Sequence, residues 1–137
     1  MVRTATNEIS EHDQLILMMA RYFKQQGYSD IRADIPGWTQ PYGIHWSNNP
    51  GQNYIPDLTC LDTNGILVIL EAETCNSLRD QHTQEQFTIF RAHANNERGR
   101  FEVVVPRSCL GSDGRTLIKN IASGWGIIID NIWTPTE

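Results

Sequence analysis

The sequence predicts an α/β fold in which helices flank a mixed central sheet. Apolar residues recur at helical spacing between residues 8 and 26. Two strand-like runs follow at 54–61 and 66–70, and turn residues separate them. Helical and strand-like segments then alternate to the C-terminus, which favours parallel crossovers. The expected order is an α-β-β-β-α-β core with a C-terminal α-β extension, in a single domain over residues 1–137.

The composition is typical of a soluble globular domain, with 39% hydrophobic and 20% charged residues. No apolar run approaches the roughly 18 residues that span a bilayer, and the N-terminal segment has no signal-peptide pattern. The three cysteines, Cys60, Cys75 and Cys109, are odd in number and lack CxxC spacing. They predict reduced thiols, neither a disulfide framework nor a zinc site, and a cytoplasmic location without membrane contact.

The N-terminal part should contain one helix, one short strand and one irregular segment. The helix is expected over residues 8–26, capped by Asn7 or Ser10. The strand is expected over residues 30–35. Residues 36–53 combine Pro, Gly and Asn breakers with the rings of Trp38, Tyr42, His45 and Trp46. This segment is either packed or a binding surface, since long ordered loops are often functional.

After the central strands, the chain should alternate between helices and strands. The expected segments are a polar turn at 75–82, a helix at 83–95, a strand at 101–106, a helix at 113–123 and a strand at 126–133. Thr83 and Gln86 have the spacing of a capping box at the start of the first of these helices.

Three carboxylates should converge where the two central runs meet. Residues 62–65, Asp-Thr-Asn-Gly, are strong turn formers, so the runs are expected to form a hairpin. Glu71 and Glu73 follow the buried run and share one face of the strand, and the hairpin brings Asp57 toward them. Carboxylates buried together repel each other and lose hydration. They therefore indicate a site for a hard divalent cation.

The motif Pro56-Asp57, a hairpin turn and then Glu71-x-Glu73 resembles the signature of the PD-(D/E)XK nuclease superfamily. The resemblance covers about residues 8–106 and looks strongest to the small archaeal resolvase-like and the restriction-endonuclease-like members. It implies a restriction-endonuclease-like fold and a metal-dependent endonuclease that acts on DNA with Mg²⁺ or Mn²⁺. It also implies a homodimer as an expectation, because resolvase-like relatives are often dimers.

The resemblance assigns metal ligands within this motif. Asp57 and Glu71 take the positions of the family's metal-binding acids, and the main-chain carbonyl of Ala72 takes that of a further ligand. Glu73 stands where the family usually has Lys, as it does in some restriction endonucleases. At that position it is expected to bind a second metal ion, or to orient or deprotonate the attacking water.

Two further residues match family positions outside the motif. Glu11 is the best match to an acid on the first helix, and Glu8 is the next best. Gln86 matches a Gln on the helix after the third strand. Each also has a structural interpretation, because acids favour the positive end of a helix and Gln86 completes the capping box. His12 and His82 are also placed near the proposed site by the sequence, but each is expected to be a surface polar group.

Arginines supply the expected nucleic-acid surface, although the formal net charge of −5 does not itself indicate a nucleic-acid binder. Arg91, Arg98 and Arg100 surround the second helix and the strand after it, and Arg79 precedes that helix. With Arg107 they either form a rim that contacts phosphates or belong to an ordinary solvated face.

Two other functions remain open from the residues. The acidic balance and the missing Lys favour a nuclease-fold domain that binds nucleic acid or a protein partner and is catalytically weak or inactive. A metal hydrolase of small phosphate esters ranks third, because the sequence has neither a glycine-rich phosphate loop nor a His-rich metal motif.

Overall fold

A computed structural model describes residues 10–136 of the chain. It contains three helices and nine strands among the described residues. In chain order these are α1 Glu11–Gln25, β1 Ser29–Ala33, β2 Ile44–Trp46, β3 Asn49–Tyr54, β4 Leu58–Leu61, β5 Leu67–Ala72, α2 Gln81–Asn96, β6 Arg100–Val104, β7 Ser108–Cys109, β8 Ser112–Asp113, α3 Gly114–Gly124 and β9 Asn131–Trp133. No helix within residues 10–136 is long and apolar enough to cross a lipid bilayer.

The central sheet has five strands in the order β1-β4-β5-β6-β9. Neighbours β1, β4 and β5 are antiparallel, whereas β6 pairs in parallel with both β5 and β9. With α1 before these strands and α2 between β5 and β6, the main-sheet elements have the order α-β-β-β-α-β. Together, α3 and β9 form the C-terminal extension. The predicted fold class, an α/β fold with a mixed central sheet flanked by helices, is therefore confirmed.

Strand β5 is buried on both faces and organises two hydrophobic clusters. Val68 and Leu70 contribute to the cluster that contains α1. Ile69, between them, contributes to the cluster that contains α2 and α3. This alternation follows from the two-residue period of a strand, and it explains why the run is apolar without interruption. The face that carries Ile69 also carries Glu71, two residues later.

Helix α1 begins later than the sequence predicts. Ser10 is its N-cap, and the Ser10 hydroxyl accepts a hydrogen bond from the backbone N–H of Asp13 at 3.1 Å. Ser10 was one of the two expected caps. The other, Asn7, and the candidate acid Glu8 lie outside the described residues. Gly27, with φ of 84°, adopts the left-handed conformation that ends the helical path.

The segment 36–53 is more regular than predicted, because β2 and β3 within it form an antiparallel hairpin. Tyr54 belongs to β3 and not to the central strand, and β4 begins only at Leu58. Between them lies Pro56, which has no N–H to donate to a strand ladder. Asp57 consequently stands just before β4.

The last strand is also shorter than predicted, since it starts at residue 131 and the sequence favours a start at 126. Just before it, the Asp130 carboxylate accepts hydrogen bonds from the backbone N–H of Phe101 at 2.9 Å and from Arg91 at 2.8 Å. The Asp130 side chain thus accepts the backbone hydrogen bond that a longer β9 would otherwise accept. The two-residue strands β7 and β8 have no counterpart in the sequence-based prediction.

The predicted capping box on α2 is wrong. The helix begins at Gln81 with Asp80 as its N-cap, two residues earlier than expected. Thr83 is therefore inside the first turn, and its hydroxyl donates to the backbone oxygen of Ser77 at 2.7 Å. Gln86 therefore has no capping role with Thr83.

Cys75 and Cys109 form a disulfide with a Cα–Cα distance of 5.4 Å, so the prediction of unpaired cysteines is wrong. The topology explains the pairing. Strands β5 and β6 are parallel neighbours, and the segments that follow them leave the same edge of the sheet. Spacing along the sequence did not reveal this proximity. Cys60 keeps a free buried thiol, and burial raises the pKa of that thiol to about 12.

Arg100 holds two carboxylates and belongs to the fold. Its Nη1 lies 2.7 Å from Asp62 Oδ2, and its Nε lies 2.9 Å from Glu102 Oε2. Glu102 is only 2% exposed, and its other oxygen accepts a hydrogen bond from Trp133 Nε1 at 2.7 Å. A buried carboxylate with these partners depends on the guanidinium for its charge balance.

We expect Arg100→Met to lower the free energy of unfolding by roughly 3 kcal/mol, because it removes the cation beside the buried Glu102 and leaves that side chain only the hydrogen bond from Trp133. Arg98→Met is the matched control. Arg98 is exposed, and its loss should change stability by about 0.5 kcal/mol or less. Urea unfolding at neutral pH measures both. Equal stability of Arg100→Met and the parent would contradict this assignment of Arg100.

Candidate active site

The carboxylates predicted to converge do so in a cleft of about 360 Å³ at the C-terminal end of β5. Asp57, Glu71 and Glu73 all line it. The other lining residues come from α1, from the segments before β4 and after β5, and from α2: His12, Asp34, Ile55, Ala72, Thr74, Ser77, Asp80, His82, Thr83 and Gln86. Four parts of the chain thus meet at one edge of the sheet.

Asp57 and Glu71 are clamped together through the backbone. The backbone N–H of Asp57 donates to Glu71 Oε2 at 2.7 Å, and the backbone N–H of Ala72 donates to Asp57 Oδ2 at 2.8 Å. The strand register explains this exchange. Leu58 pairs with Leu70 in an antiparallel ladder, so Asp57, just before Leu58, stands opposite Glu71, just after Leu70. The hairpin turn at residues 62–65 sets that register, as predicted. Its Asp62 carboxylate accepts from the backbone N–H groups of Asn64 and Ile66.

Glu71 is the most deeply buried acid of the cleft. It is 1% exposed. Burial is the main cause that raises its pKa well above the usual range, and the negative charge of Asp57 adds to the rise. A side-chain hydrogen bond with Asp57 raises the pKa of Glu71 further. Without a cation, the cleft therefore favours the neutral form of Glu71 more than water does.

Glu73 lies just beyond β5 and is 4% exposed. Its backbone N–H donates to the carbonyl of Val104 at 3.0 Å, and the Ser77 hydroxyl donates to Glu73 Oε2 at 2.5 Å. Burial raises its pKa to about 7, and the hydrogen bond from Ser77 limits the rise. A carboxyl with this pKa gives up and takes a proton near neutral pH.

His12 enters the cleft from α1, where the sequence suggested only a surface polar group. Its Nε2 lies 3.2 Å from Asp57 Oδ2, and its Nδ1 lies 3.1 Å from Asp13 Oδ1. The hydrogen bond to Asp57 is the main cause that raises the pKa of His12 to about 9, against an opposing effect of burial. His12 thus carries a positive charge beside the carboxylates at neutral pH.

Glu11, the acid predicted to join the site from α1, does not line this cleft. Its exposed side chain borders a neighbouring depression shared with Cys75 and Arg107. One residue of a helix corresponds to a rotation of about 100°, so the face that presents His12 to Asp57 turns Glu11 away. The sequence pattern alone did not determine which of the neighbouring residues Glu11 and His12 faces the cleft.

Gln86 does line the cleft and is half-buried there, which agrees with the position that the resemblance gave it. It reaches the cleft from the first turns of α2, and the buried Phe87 beside it fixes the rotation of the helix. Its role as a catalytic residue stays a prediction.

The predicted arginine rim is at the wrong end of the sheet. Arg100 pairs in register with Val68, at the start of β5, whereas Glu71 pairs with Val103. Three residues of a strand separate these positions by about 10 Å. Arg98, which precedes β6, lies at the same distant end. Arg91 is engaged in a 2.8 Å ion pair with Asp130 near that end.

Arg79 is the predicted arginine that stands beside the cleft, exposed in the turn between Ser77 and Asp80. Arg107 follows β6 at the same edge of the sheet and borders the neighbouring depression. The arginines are neighbours in sequence, but the sequence did not reveal that α2 and β6 carry Arg91, Arg98 and Arg100 away from the acids.

The donor atoms of the cleft fit a divalent cation of the Mg²⁺ type. Hard cations prefer carboxylate and carbonyl oxygens, and Mg²⁺ needs only one or two protein carboxylates beside its waters. Asp57 and Glu71 provide two carboxylates whose mutual repulsion a cation would offset. Among residues 10–136, however, no three His, Cys, Asp or Glu side chains are arranged as a ready ligand set. The fit is thus to a two-carboxylate site.

Comparison with known proteins adds one similarity. No protein-family model and no curated protein matches this sequence. Among solved structures, the chain is similar to the EndoMS-dsDNA2 complex, with a TM-score of 0.40 and 13% identity over 98% of this chain. The chain covers 51% of that protein and so spans about half its length. At this TM-score the similarity supports no conclusion about the cleft or its chemistry.

Proposed function

We propose that this chain is a divalent-metal-dependent nuclease that hydrolyses phosphodiester bonds in DNA, acting as an endonuclease. The observation that carries the proposal is the meeting of Asp57, Glu71 and Glu73 in one cleft at the end of β5. Protein folds rarely place two buried acids and a half-buried one together without a functional reason, because each loses hydration and repels the others. The motif that supplies these acids is also the one that resembles PD-(D/E)XK nucleases.

Asp57 and Glu71 would hold Mg²⁺ or Mn²⁺, with the main-chain carbonyl of Ala72 as a further ligand. When bound, such a cation supplies Lewis-acid stabilisation of the phosphate and lowers the pKa of coordinated water. Asp57 Oδ2 already accepts hydrogen bonds from Ala72 N–H and faces His12 Nε2, which orients the carboxylate. These contacts keep the ligand groups in place before any metal arrives.

Glu73 is the proposed general base. Its pKa of about 7 lets it accept a proton at neutral pH, and Ser77 fixes one of its two oxygens. Ser77 donates to Oε2, so Oε1 is the oxygen proposed to take a proton from the attacking water. This assignment gives the carboxylate a task at the position where the resembled family usually has Lys. Gln86 lines the same cleft, and we propose that it helps to orient the water from α2.

Single-turnover cleavage of plasmid and of single-stranded DNA, with Mg²⁺, Mn²⁺ or EDTA, tests the proposal. We expect cleavage with either metal and none with EDTA. Glu73→Gln should lower the rate at pH 7.5 by about 10²-fold, because the amide cannot accept a proton. It should also flatten the rise of the rate with pH near pH 7, since deprotonation of Glu73 produces that rise.

Glu85→Gln is the matched control, because Glu85 is an exposed acid on α2 outside the cleft. Its cleavage rate and pH profile should equal those of the parent. A parent that cleaves equally well in EDTA, or a Glu73→Gln variant with full activity and an unchanged pH profile, would contradict the assigned roles.

A second candidate is a nuclease-fold domain that binds nucleic acid or a protein partner and has weak or no catalysis. The lack of a three-residue ligand set within residues 10–136 favours it. Tight DNA binding by a parent that cleaves no DNA with any metal would select this alternative. The homodimer and the small phosphate-ester substrate stay predictions, which light scattering and a phosphate-release assay would test.

A further inference from the structure

The chain between β1 and β4, residues 36–56, is inserted at the mouth of the cleft. We refer to these residues as the insertion. The backbone N–H of Asp34, just before it, donates to the carbonyl of Asp57, just after it, at 2.9 Å. Asp34 and Ile55 both line the cleft. Both ends of the insertion are thus tied beside the carboxylates. The cavity beside Tyr42 is lined by Leu67 and Ile69, which precede Glu71 by about 7 to 13 Å of strand, so a nucleic-acid strand bound there has to extend along β5 to reach the cleft.

The insertion differs in charge from the rest of the chain. The chain has 16 acidic and 11 basic residues, yet no Asp, Glu, Lys or Arg occurs between residues 36 and 56. The hairpin of β2 and β3 instead presents side-chain amides such as Asn49 and Gln52 to the solvent. Amides donate and accept hydrogen bonds without repelling a phosphate backbone, and they match the polar edges of bases.

Tyr42 offers an open aromatic face. Its side chain is 73% exposed. The Arg32 guanidinium lies 4.4 Å from the ring centroid and covers one face, and Asp30 holds Arg32 at 3.2 Å. A ring supported on one side by a fixed cation is placed for stacking on the other. Next to it, an added Cβ on Gly43 would lie 2.8 Å from the Asn53 side chain, so the backbone beside Tyr42 is tightly seated.

Trp46 provides a second ring in the insertion. It ends β2, pairs in register with Asn49 and is 40% exposed. Ile44, two residues earlier, packs against the hydrophobic cluster of α2, which anchors the strand. A cavity of about 320 Å³ opens beside Tyr42, with His45 among the residues that line it. Large aromatic side chains left exposed on an anchored hairpin indicate a binding surface.

We propose that the insertion binds unpaired nucleotides of DNA by stacking their bases on Tyr42 and Trp46 and delivers the adjoining strand to the cleft. Bases of a single strand present their faces to such rings, whereas bases in a duplex are already stacked on each other. The insertion also lacks the cations that bind duplex phosphates. The delivery step rests on the proposed nuclease function, but the binding step does not.

Fluorescence anisotropy with a labelled dT20 oligonucleotide and a 20-base-pair duplex, in EDTA, tests the binding step. We expect the parent to bind dT20 at least tenfold more tightly than the duplex. Tyr42→Leu and Trp46→Leu should each weaken dT20 binding by about tenfold, since each removes a stacking ring. Between 50 and 200 mM salt, the affinity should fall by only about threefold, as for a single phosphate contact on a single strand.

Tyr22→Leu is the control for loss of a surface ring. Tyr22 lies on α1 and is 39% exposed, close to the value for Trp46. Its variant should bind dT20 as the parent does, and circular dichroism should show the parental fold in all variants. Equal affinity of the parent for duplex and dT20, or parental affinity of both insertion variants, would overturn the inference.

Cleavage data separate this inference from the proposed function. A parent that binds dT20 through the insertion but cleaves no DNA would refute the nuclease proposal and leave the binding surface intact. A parent that cleaves DNA, with single-strand cleavage unaffected by Tyr42→Leu and Trp46→Leu together, would refute the surface and leave the nuclease proposal intact.

Discussion

Glu71→Gln is expected to abolish metal-dependent hydrolysis while stabilising the protein in the absence of metal. The amide keeps the shape of the side chain and can still accept the hydrogen bond from Asp57 N–H at the position of Glu71 Oε2. It cannot provide a negative charge to a cation. If the cation contributes several kcal/mol to the transition state, its loss corresponds to at least about a 10³-fold lower rate.

The stability effect follows from the raised pKa of Glu71. A carboxyl group whose folded pKa lies above its unfolded value stabilises the fold at low pH, and this contribution is lost as the pH rises through the folded pKa. Glu71 and Glu73 both belong to this class. Glu73, with a folded pKa of about 7 against a reference of 4.5, accounts for roughly 3 kcal/mol between these pH values.

Urea unfolding in EDTA at pH 5, 7 and 9 measures this effect. The metal-free parent should lose stability from pH 5 to pH 9, and Glu71→Gln should lose less and be more stable than the parent at pH 9. Addition of Mg²⁺ should stabilise the parent, because the ion binds the folded state, and should leave Glu71→Gln nearly unchanged. Glu85→Gln should follow the parent throughout. A Glu71→Gln variant that is less stable than the metal-free parent at pH 9 would contradict the repulsion between the carboxylates.

The position of the acids was predictable because local chemistry determines it. Residues 62–65 favour a tight turn, and that turn sets the register in which Asp57 meets Glu71. The uninterrupted apolar run before Glu71 is typical of a strand with both faces covered. Two-residue periodicity then placed Glu71 on the face of Leu67 and Ile69, which packs against α2 in the structure. Each step uses neighbours within about 20 residues, and none depends on how distant elements pack.

The predictions that failed depend on long-range geometry. His12 replaces Glu11 in the cleft because of the rotation of α1 on the sheet, which packing decides. Arg91 and Arg100 follow the acids in sequence, but parallel pairing of β5 and β6 sends them to the opposite end. The same pairing brings two distant cysteines together. A crossover connection returns the chain to the opposite end of the sheet. Residues soon after a motif in sequence can therefore lie far from it in space, and sequence proximity does not predict which residues join the site.

Reduction of the Cys75–Cys109 disulfide is expected to destabilise the protein by roughly 4 kcal/mol and to lower its Tm by about 10 °C. The bond closes a loop across a sequence separation of 34 residues, and a loop of this length restricts the unfolded chain by that amount in the chain-entropy model. The loop contains α2 and β6, which carry much of the core. Cys75 also lies two residues before Ser77, the group that fixes Glu73.

Thermal unfolding of the parent and of a Cys75→Ser/Cys109→Ser double variant, each with and without a reducing agent, measures this contribution. Reduction should lower the Tm of the parent to that of the double variant and should not change the double variant, whose remaining Cys60 has no disulfide partner in the described residues. Thiol titration of the denatured, unreduced parent should find one thiol per chain, and three would show that the bond does not form. Because the disulfide ties the turn that carries Ser77 to the segment after β6, the reduced protein should also hold Glu73 less firmly. The pH at which the cleavage rate is half-maximal should then rise in the reduced protein, since burial raises the pKa of Glu73 and the hydrogen bond from Ser77 limits that rise.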